Sequence, residues 1–426
     1  MTTYAKTLDT KTLDNSIQHV TSSVKQNNTT AHIIQSDQEA LALVKQFRQQ
    51  FAQHASQRDL NRQLPFEEIE QLSQSGLLAI TVPKQYGGAE VSNVTLARVI
   101  AELSAADGSI GQIPQNHFYA LEVLRHTGTE QQKQKFYAEI LAGKRLGNAL
   151  AEFKTANASI KTTRIRPEFP EQSHNDRYVI QGEKFYCTGN LFAHRIPTLV
   201  QDDQQNEYLA FVNADSTGLE RIDNWTGFGQ RTTGSGTVRL NQVLIEQDEL
   251  IPFDLAFSTP SLVGPIAQLM HAAIEVGIAR AAFEETLVRV RAARPWIDAQ
   301  VDFAHQDPLT LYELGRIAAD VRASELLLAQ AGAVIDAAKN NIDEQHVAEA
   351  SIAVAKVRAH STETALKTAS KLIELAGSRG SQRNDNLDRY WRNARVHTLH
   401  DPVRWKYYFI AQYELNGVLP PRRGTL

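Results

Sequence analysis

Residues 390–406 hold four cations, two imidazoles and two of the chain's four tryptophans. A plain surface helix needs no such mixture. Arg392, Arg395, Arg404 and Lys406 beside Trp391 and Trp405 suit a flat anionic ligand, so the stretch reads as one wall of a cofactor site, although the arginines and aromatics also fit plain packing and ion pairing. Asp401 followed by Pro402 reads as an N-cap and first helical position. A helix N-terminus attracts negative charge, and His400 stands just before it. An imidazole suits proton transfer near neutrality. His397 and His400, three apart, also have a metal-ligand spacing, but only Asp401 accompanies them, so no metal is expected.

Other candidates are scattered. Asn148 lies where helical texture gives way to β texture, a usual place for a ligand cleft, and also fits a turn cap. Thr188 follows a strand and can offer its hydroxyl to a ligand or merely end the strand. Trp225 fits a ring-packing wall or a loop anchor equally. Arg294 precedes Pro295 at the end of a long helix, where a cation is worth ~0.3–1 kcal/mol against the dipole alone. Arg379 lies between Gly377 and Gly380, which permit close backbone approach. Gln112, Asn116 and His117 line a pocket or a helix start. Cys187, the only cysteine, has no nearby base and reads as a small buried hydrophobe.

Three zones must position these groups. The first looks helical. Ala40, Leu43, Val44, Phe47 and Phe51 give a helical period over 39–51. A short helix over 65–75 stops at Gly76. Thr129 with Gln132 forms a capping box opening a helix to 141, and Pro83, Gly87 and Gly88 mark a loop. The second zone carries short β runs at 160–165, 177–181, 198–201, 207–212 and 236–245, which suggest a small sandwich or barrel. The third is helical again. An Ala-rich amphipathic helix over 268–293 is stopped by Pro295, a helix starts at Asp307 and Pro308, and another runs over 343–376 to Gly377. The expected division is a tail at 1–35, an N-terminal helical domain at 36–145, a central β domain at 146–256 and a C-terminal four-helix bundle at 257–426.

Bulk properties bound the class. A chain of 426 residues needs two or three domains or layers. A net charge of −4 gives no reason to expect nucleic acid. A single cysteine excludes an internal disulfide and fits a reducing compartment. No run approaches the ~20 apolar residues of a membrane helix. The first 35 residues, rich in Thr, Asn, Gln and Ser, lack the pattern of a signal peptide, so a flexible tail and a cytoplasmic protein are expected.

The order helices, β domain, helical bundle, together with the segments at 76–78, 82–88, 106–111, 293–296 and 390–402, resembles the acyl-CoA dehydrogenase fold superfamily from about Gln38 onward. Within it the chain is similar to the reduced-flavin-dependent monooxygenases of the dibenzothiophene and sulfur-acquisition group. The resemblance implies an α+β fold and a homotetramer. It also implies use of FMN as FMNH2 (FAD is possible) supplied by a separate NAD(P)H:flavin reductase, and O2 as co-substrate. His400, with Asn148 and Thr188, would serve a flavin C4a-(hydro)peroxide. Asn148, Thr188, Trp225, Arg294, Arg379, His400 and Asp401 would hold flavin, Arg294 at the phosphate from a neighbouring subunit. Gln112 and Asn116 stand where the dibenzothiophene enzyme has His and Tyr, and His117 matches. The pocket is then more polar, which favours a small sulfone-type organosulfur substrate. In the dehydrogenases, a Glu followed by Gly near position 401 removes the substrate proton. Asp401 followed by Pro402 reads instead as a cap that orients His400. A dehydrogenase using Asp401 as base, and a non-catalytic flavin-binding protein, are the alternatives.

Overall fold

A computed structural model describes residues 31–426 apart from 153–154, 156–159 and 172–175. The expected tail lies outside the described residues as far as 30. Residues 31–35, placed with it, are packed: Ala31 and Ile34 are buried, and His32 N donates to Gln74 O at 2.9 Å.

The N-terminal layer is α1 (Asp37–Asn61), α2 (Phe66–Gln74), α3 (Asn93–Ala106), α4 (Gly108–Gln112), α5 (Gln115–Thr127) and α6 (Glu130–Leu141). Four of these starts have a side-chain cap. Ser36 accepts from Glu39 N, Ser92 from Thr95 N and Asp107 from Ser109 N, and Thr129 with Gln132 closes the expected capping box.

The central domain is one sheet of β1 (Arg164–Pro167), β2 (Arg177–Lys184), β3 (Arg195–Gln201), β4 (Glu207–Asn213), β5 (Leu219–Ile222), β6 (Thr237–Glu246) and β7 (Leu250–Pro252), in the order β5-β6-β2-β1-β3-β4-β7. Where a sandwich or barrel was expected, all strands share this sheet. All neighbouring pairs are antiparallel except β1 with β3. Ile165, Ile180, Ile196, Val212, Val238 and Val243 form its own apolar core. The edge strands β5 and β7 are too short to show a period of two, and their neighbours supply their hydrogen bonds.

The C-terminal layer is α7 (Leu255–Ser258), α8 (Val263–Ala292), α9 (Pro308–Ala338), α10 (Glu344–Leu375), α11 (Asp388–His397) and α12 (Arg404–Asn416). Asp307 caps α9, with Pro308 in its first turn, and Asp343 caps α10 by accepting from His346 N. Helix α8 is not amphipathic as expected. It is buried almost all round from Val263 to Ala282 because α3, α5, α9, α10 and α11 pack about it. By length and composition it could cross a membrane, but 89% of its apolar window lies inside the protein. Polar side chains on such a helix need partners inside the fold, and α8 carries His271 and Glu275.

Candidate active site

The start of α5, residues 148–151, the loop after β5 and the turn after α11 enclose a chamber of about 530 Å³. One wall comes from the β domain. Residues 146–149 run beside β3, held by bridges from Leu146 to Arg195 and Ala149 to Thr198, which place Asn148 at the chamber. Its Nδ2 reaches Tyr186 O at 3.4 Å, and its buried Oδ1 has no partner among the described residues. Tyr186 takes a φ of +54°, a conformation that costs a bulky residue free energy and is kept where surrounding structure enforces it. The turn sets Thr188 into the wall, where its Oγ1 lies 2.8 Å from Ser235 Oγ, itself 2.7 Å from Thr233 Oγ1. Trp225 sits on the same wall, its Nε1 donating to Gln230 O at 2.9 Å. Its loop is pinned to α11. Gln230 N donates to Asn393 Oδ1 at 2.7 Å, and a Cβ at Gly229 would lie 1.9 Å from Arg392 O, so only glycine permits that approach.

Three imidazoles form the helical wall. His271 and His397 are buried, and His400, just past α11, opens 44% of its side-chain surface at the chamber. The rings of His271 and His400 are 4.0 Å apart between centroids. His271 Nδ1 lies 3.1 Å from His397 Nε2, and His397 Nδ1 lies 3.0 Å from Glu275 Oε1. Burial first holds the pKa of His271 and His397 well below the imidazole range, followed for His271 by His400, His397, Arg358 and Lys406, and for His397 by Arg358 and His400 against Asp401. Burial, with Arg358 and Lys406 and against Asp401, lowers that of His400. No three His, Cys, Asp or Glu side chains converge as a metal site among the described residues.

Asp401 is neither a cap nor a chamber residue. Helix α12 begins at Arg404, with no side-chain cap at Val403. The Asp401 carboxylate turns inward, to Arg358 NH2 at 3.1 Å and Lys406 Nζ at 2.9 Å. Burial would raise its pKa, but Arg358 and Lys406 outweigh burial and hold it at about 2. The expected cap fails because two buried cations bind the carboxylate more strongly than backbone N–H groups would. Its Oδ1 is 4.0 Å from His400 Nδ1, so it stands behind that ring.

Gln112 and Asn116 line the chamber, and Gln112 Oε1 is buried without a partner among the described residues. His117, expected with them, does not line it. Its Nε2 lies 2.7 Å from Leu78 O, and its Nδ1 accepts from Leu146 N at 3.0 Å. Both ring nitrogens are spent joining the helical layer to the β domain, and burial holds its pKa at about 4. Arg294 and Arg379 are exposed and stand apart from the chamber lining. Of the cations in 390–406, Arg392 binds Asp59 at 2.7 Å and Asp388 at 2.8 Å, an ion-pairing role. Sequence reading missed His271, Glu275, Ser235 and Phe228. A His and a Glu four apart on one face of an otherwise apolar helix is the signal that marked the first two.

A larger groove of about 720 Å³ lies on the sheet between Tyr178, Tyr208 and Asp248, but among the described residues no imidazole lines it, and Asp248 is paired with Lys135 at 2.9 Å. The chemistry is concentrated in the smaller chamber.

The family model described as acyl-CoA dehydrogenase, N-terminal domain, matches residues 35–144, and that of the acyl-CoA dehydrogenase C-terminal domain matches 269–405. Dibenzothiophene monooxygenase of Rhodococcus erythropolis is 30% identical over 405 residues, 90% of this chain and 95% of that one. A Pseudomonas putida protein named "Probable FMNH2-dependent monooxygenase SfnC" is 28% identical over 391 residues, 89% of this chain and 96% of its own. Among solved structures, FMN-bound TdsC of Paenibacillus sp. A11-2 superposes with a TM-score of 0.85 at 28% identity, covering 91% of this chain and all of that one. Methanesulfinate monooxygenase MsuC of Pseudomonas fluorescens gives 0.83 at 27%, covering 91% and 99%. The chain belongs to the acyl-CoA dehydrogenase family and, within it, to the group of the dibenzothiophene monooxygenases.

Proposed function

We propose that this protein is the oxygenase of a two-component system. It takes reduced FMN from a separate NAD(P)H-dependent flavin reductase and uses O2 to oxidise a small organosulfur compound of sulfone type in sulfur acquisition. The observation that carries this reading is the make-up of the chamber. Imidazoles, amides, hydroxyls and aromatic rings line it, and among the described residues no carboxylate, ammonium or guanidinium does. The named activities of the relatives support the cofactor and the reaction class.

The lining fits a flavin. A flavin ring carries N–H donors and carbonyl acceptors on its edge. The unpaired oxygens of Asn148 and Gln112 match the first, and the hydroxyls of Thr188 and Ser235 match the second. Trp225 offers a flat face. When bound, reduced FMN supplies the two electrons with which one atom of O2 enters the substrate and the other leaves as water. His400, kept neutral by its lowered pKa, can donate at one nitrogen and accept at the other, which suits it to hold and move the proton that oxygen transfer requires. Leu150, Phe228, Val396 and Leu399 add apolar surface to the lining. The amides of Gln112 and Asn116 can donate to sulfone oxygens.

Arg294 and Arg379 join this reading only through a second copy. We place them at the phosphate of a neighbouring subunit's flavin, in a homotetramer. Trp296 and Ile297, 70% and 82% exposed beside Arg294, form an apolar pair that such a neighbour would cover. A partner reductase using NAD(P)H places the system in the cytoplasm.

The dehydrogenase reading needs a carboxylate base at the substrate. Asp401 is outside the chamber, ion-paired and held at about 2, so it is poorly suited to take a proton. The test is to supply the protein with FMNH2, O2 and a small sulfone. Oxidised product is expected, with no bleaching of oxidised flavin by an acyl-CoA thioester in anaerobic solution. Bleaching by the thioester without product from the sulfone would overturn the proposal.

A further inference from the structure

Behind the helical wall runs a line of hydrogen bonds with a fixed direction. Glu275 is fully buried and meets only donors: Ser361 Oγ at 2.9 Å, Thr362 Oγ1 at 2.8 Å, the Arg358 guanidinium, and His397 Nδ1 at 3.0 Å. A carboxylate among donors accepts, so His397 carries its proton on Nδ1. Neutral His397 must then accept at Nε2, and the group 3.1 Å away is His271 Nδ1, which has to donate. That leaves His271 Nε2 bare. It has no hydrogen-bond partner among the described residues, and His271 lines the chamber beside His400.

We propose that Glu275, His397 and His271 form a proton port: His271 presents Nε2 to the chamber as an acceptor, and a proton received there is held as a His397 imidazolium paired with Glu275. The proposal deepens the oxygenase reading and rests on it for the source of the proton. An N–H bond forms at His271 Nε2 as the donor's bond breaks, and the proton on His271 Nδ1 crosses to His397 Nε2. One positive charge leaves the chamber and no electrons move. The reverse sequence returns the proton. The charged and titratable groups facing the port act in both directions. Arg358, Lys406 and His400 oppose an added positive charge, while Glu275 and Asp401 favour it. Burial and the cations keep both rings neutral at pH 7, so the port is empty at rest and takes a proton only from an acid formed in the chamber. His271 exchanges the proton with the chamber directly, and His397 and Glu275 act through it.

Neutron diffraction of the flavin-free protein at neutral pD reads the order directly. Deuterium is expected on Nδ1 of both His397 and His271 and absent from His271 Nε2; a deuteron on His271 Nε2 would overturn the port. His271→Asn tests its use, because the amide keeps a donor for His397 but removes the second nitrogen. A fall in kcat of about a hundredfold is expected, the lower end for a positioned proton-transfer group, with KM unchanged and the acid limb of the pH–rate profile displaced. Wild-type kcat with an unmoved profile would equally overturn it. The neutron result needs neither flavin nor substrate, so failure of the port and failure of the oxygenase reading are told apart.

Discussion

The β wall and the helical wall of the chamber are built on opposite principles. On the β wall, neutral groups satisfy neutral neighbours: Thr188 meets Ser235, Ser235 meets Thr233, and Asn148 leans on a backbone carbonyl. On the helical wall, imidazoles rest on buried ions, Glu275, Arg358, Asp401 and Lys406. Neutral partners leave spare donors and acceptors for a ligand without disturbing any titration. Buried ions decide where protons sit, at the cost of desolvation that only complete pairing offsets. The first wall is suited to holding a ring and the second to handling protons.

The largest expected break is His400→Phe. Removing the most exposed of the chamber's three imidazoles should lower product formation by about 10²- to 10⁴-fold while oxidised FMN still binds, as flavin titration beside single-turnover yield would establish. Equal loss of binding and yield would mean that the walls do not divide the labour. Next comes Glu275→Leu, which leaves Arg358 and His397 facing an apolar group. A stability loss of about 3–5 kcal/mol is expected in urea unfolding, and a loss below about 1 kcal/mol would mean that the cluster is not held together as described.

Acid separates the regions more gently. His117 is held neutral at about 4 against an ordinary 6.5, so the unfolded chain binds its proton first, and stability is lost as pH falls from 6.5 towards 4. Asp401 is held at about 2 against 3.8, so its contribution, about 2 kcal/mol, is present above 3.8 and lost as pH falls through 2. Asp401→Asn should remove the lower step of a stability–pH curve, spare the upper one, and leave turnover within about tenfold of wild type. Abolished turnover in a folded variant would return Asp401 to the chemistry. The smallest effect is expected on the β wall. Thr188→Val deletes one hydroxyl from a chain that Ser235 and Thr233 still complete, so FMN binding should weaken by about 1 kcal/mol.

How far the sequence could be read follows from the range of its signals. Asp307 with Pro308, Asp343, and Thr129 with Gln132 are local devices, and each starts the helix expected of it. The four longer strands, β2, β3, β4 and β6, carry enough side chains to show their pattern, whereas β5 and β7 exist because their neighbours offer hydrogen bonds. Asp401 with Pro402 has the same local form as Asp307 with Pro308 but a different fate, because Arg358 on α10 reaches it. His117 matched a pocket motif in sequence, yet Leu78 and Leu146 take both its nitrogens. His271 and Glu275 escaped notice because their partner, His397, is more than a hundred positions away and joins them only when α8 and α11 pack together.

The central claim, that this chamber carries out oxygen transfer from reduced flavin, is tested most directly with ¹⁸O2. The protein is given FMNH2, a small sulfone and labelled oxygen, and the product is weighed by mass spectrometry. One ¹⁸O atom per oxidised product is expected, dependent on FMNH2 and lost in His400→Phe. Oxidised product without label, or the same labelled yield from His400→Phe, would contradict it.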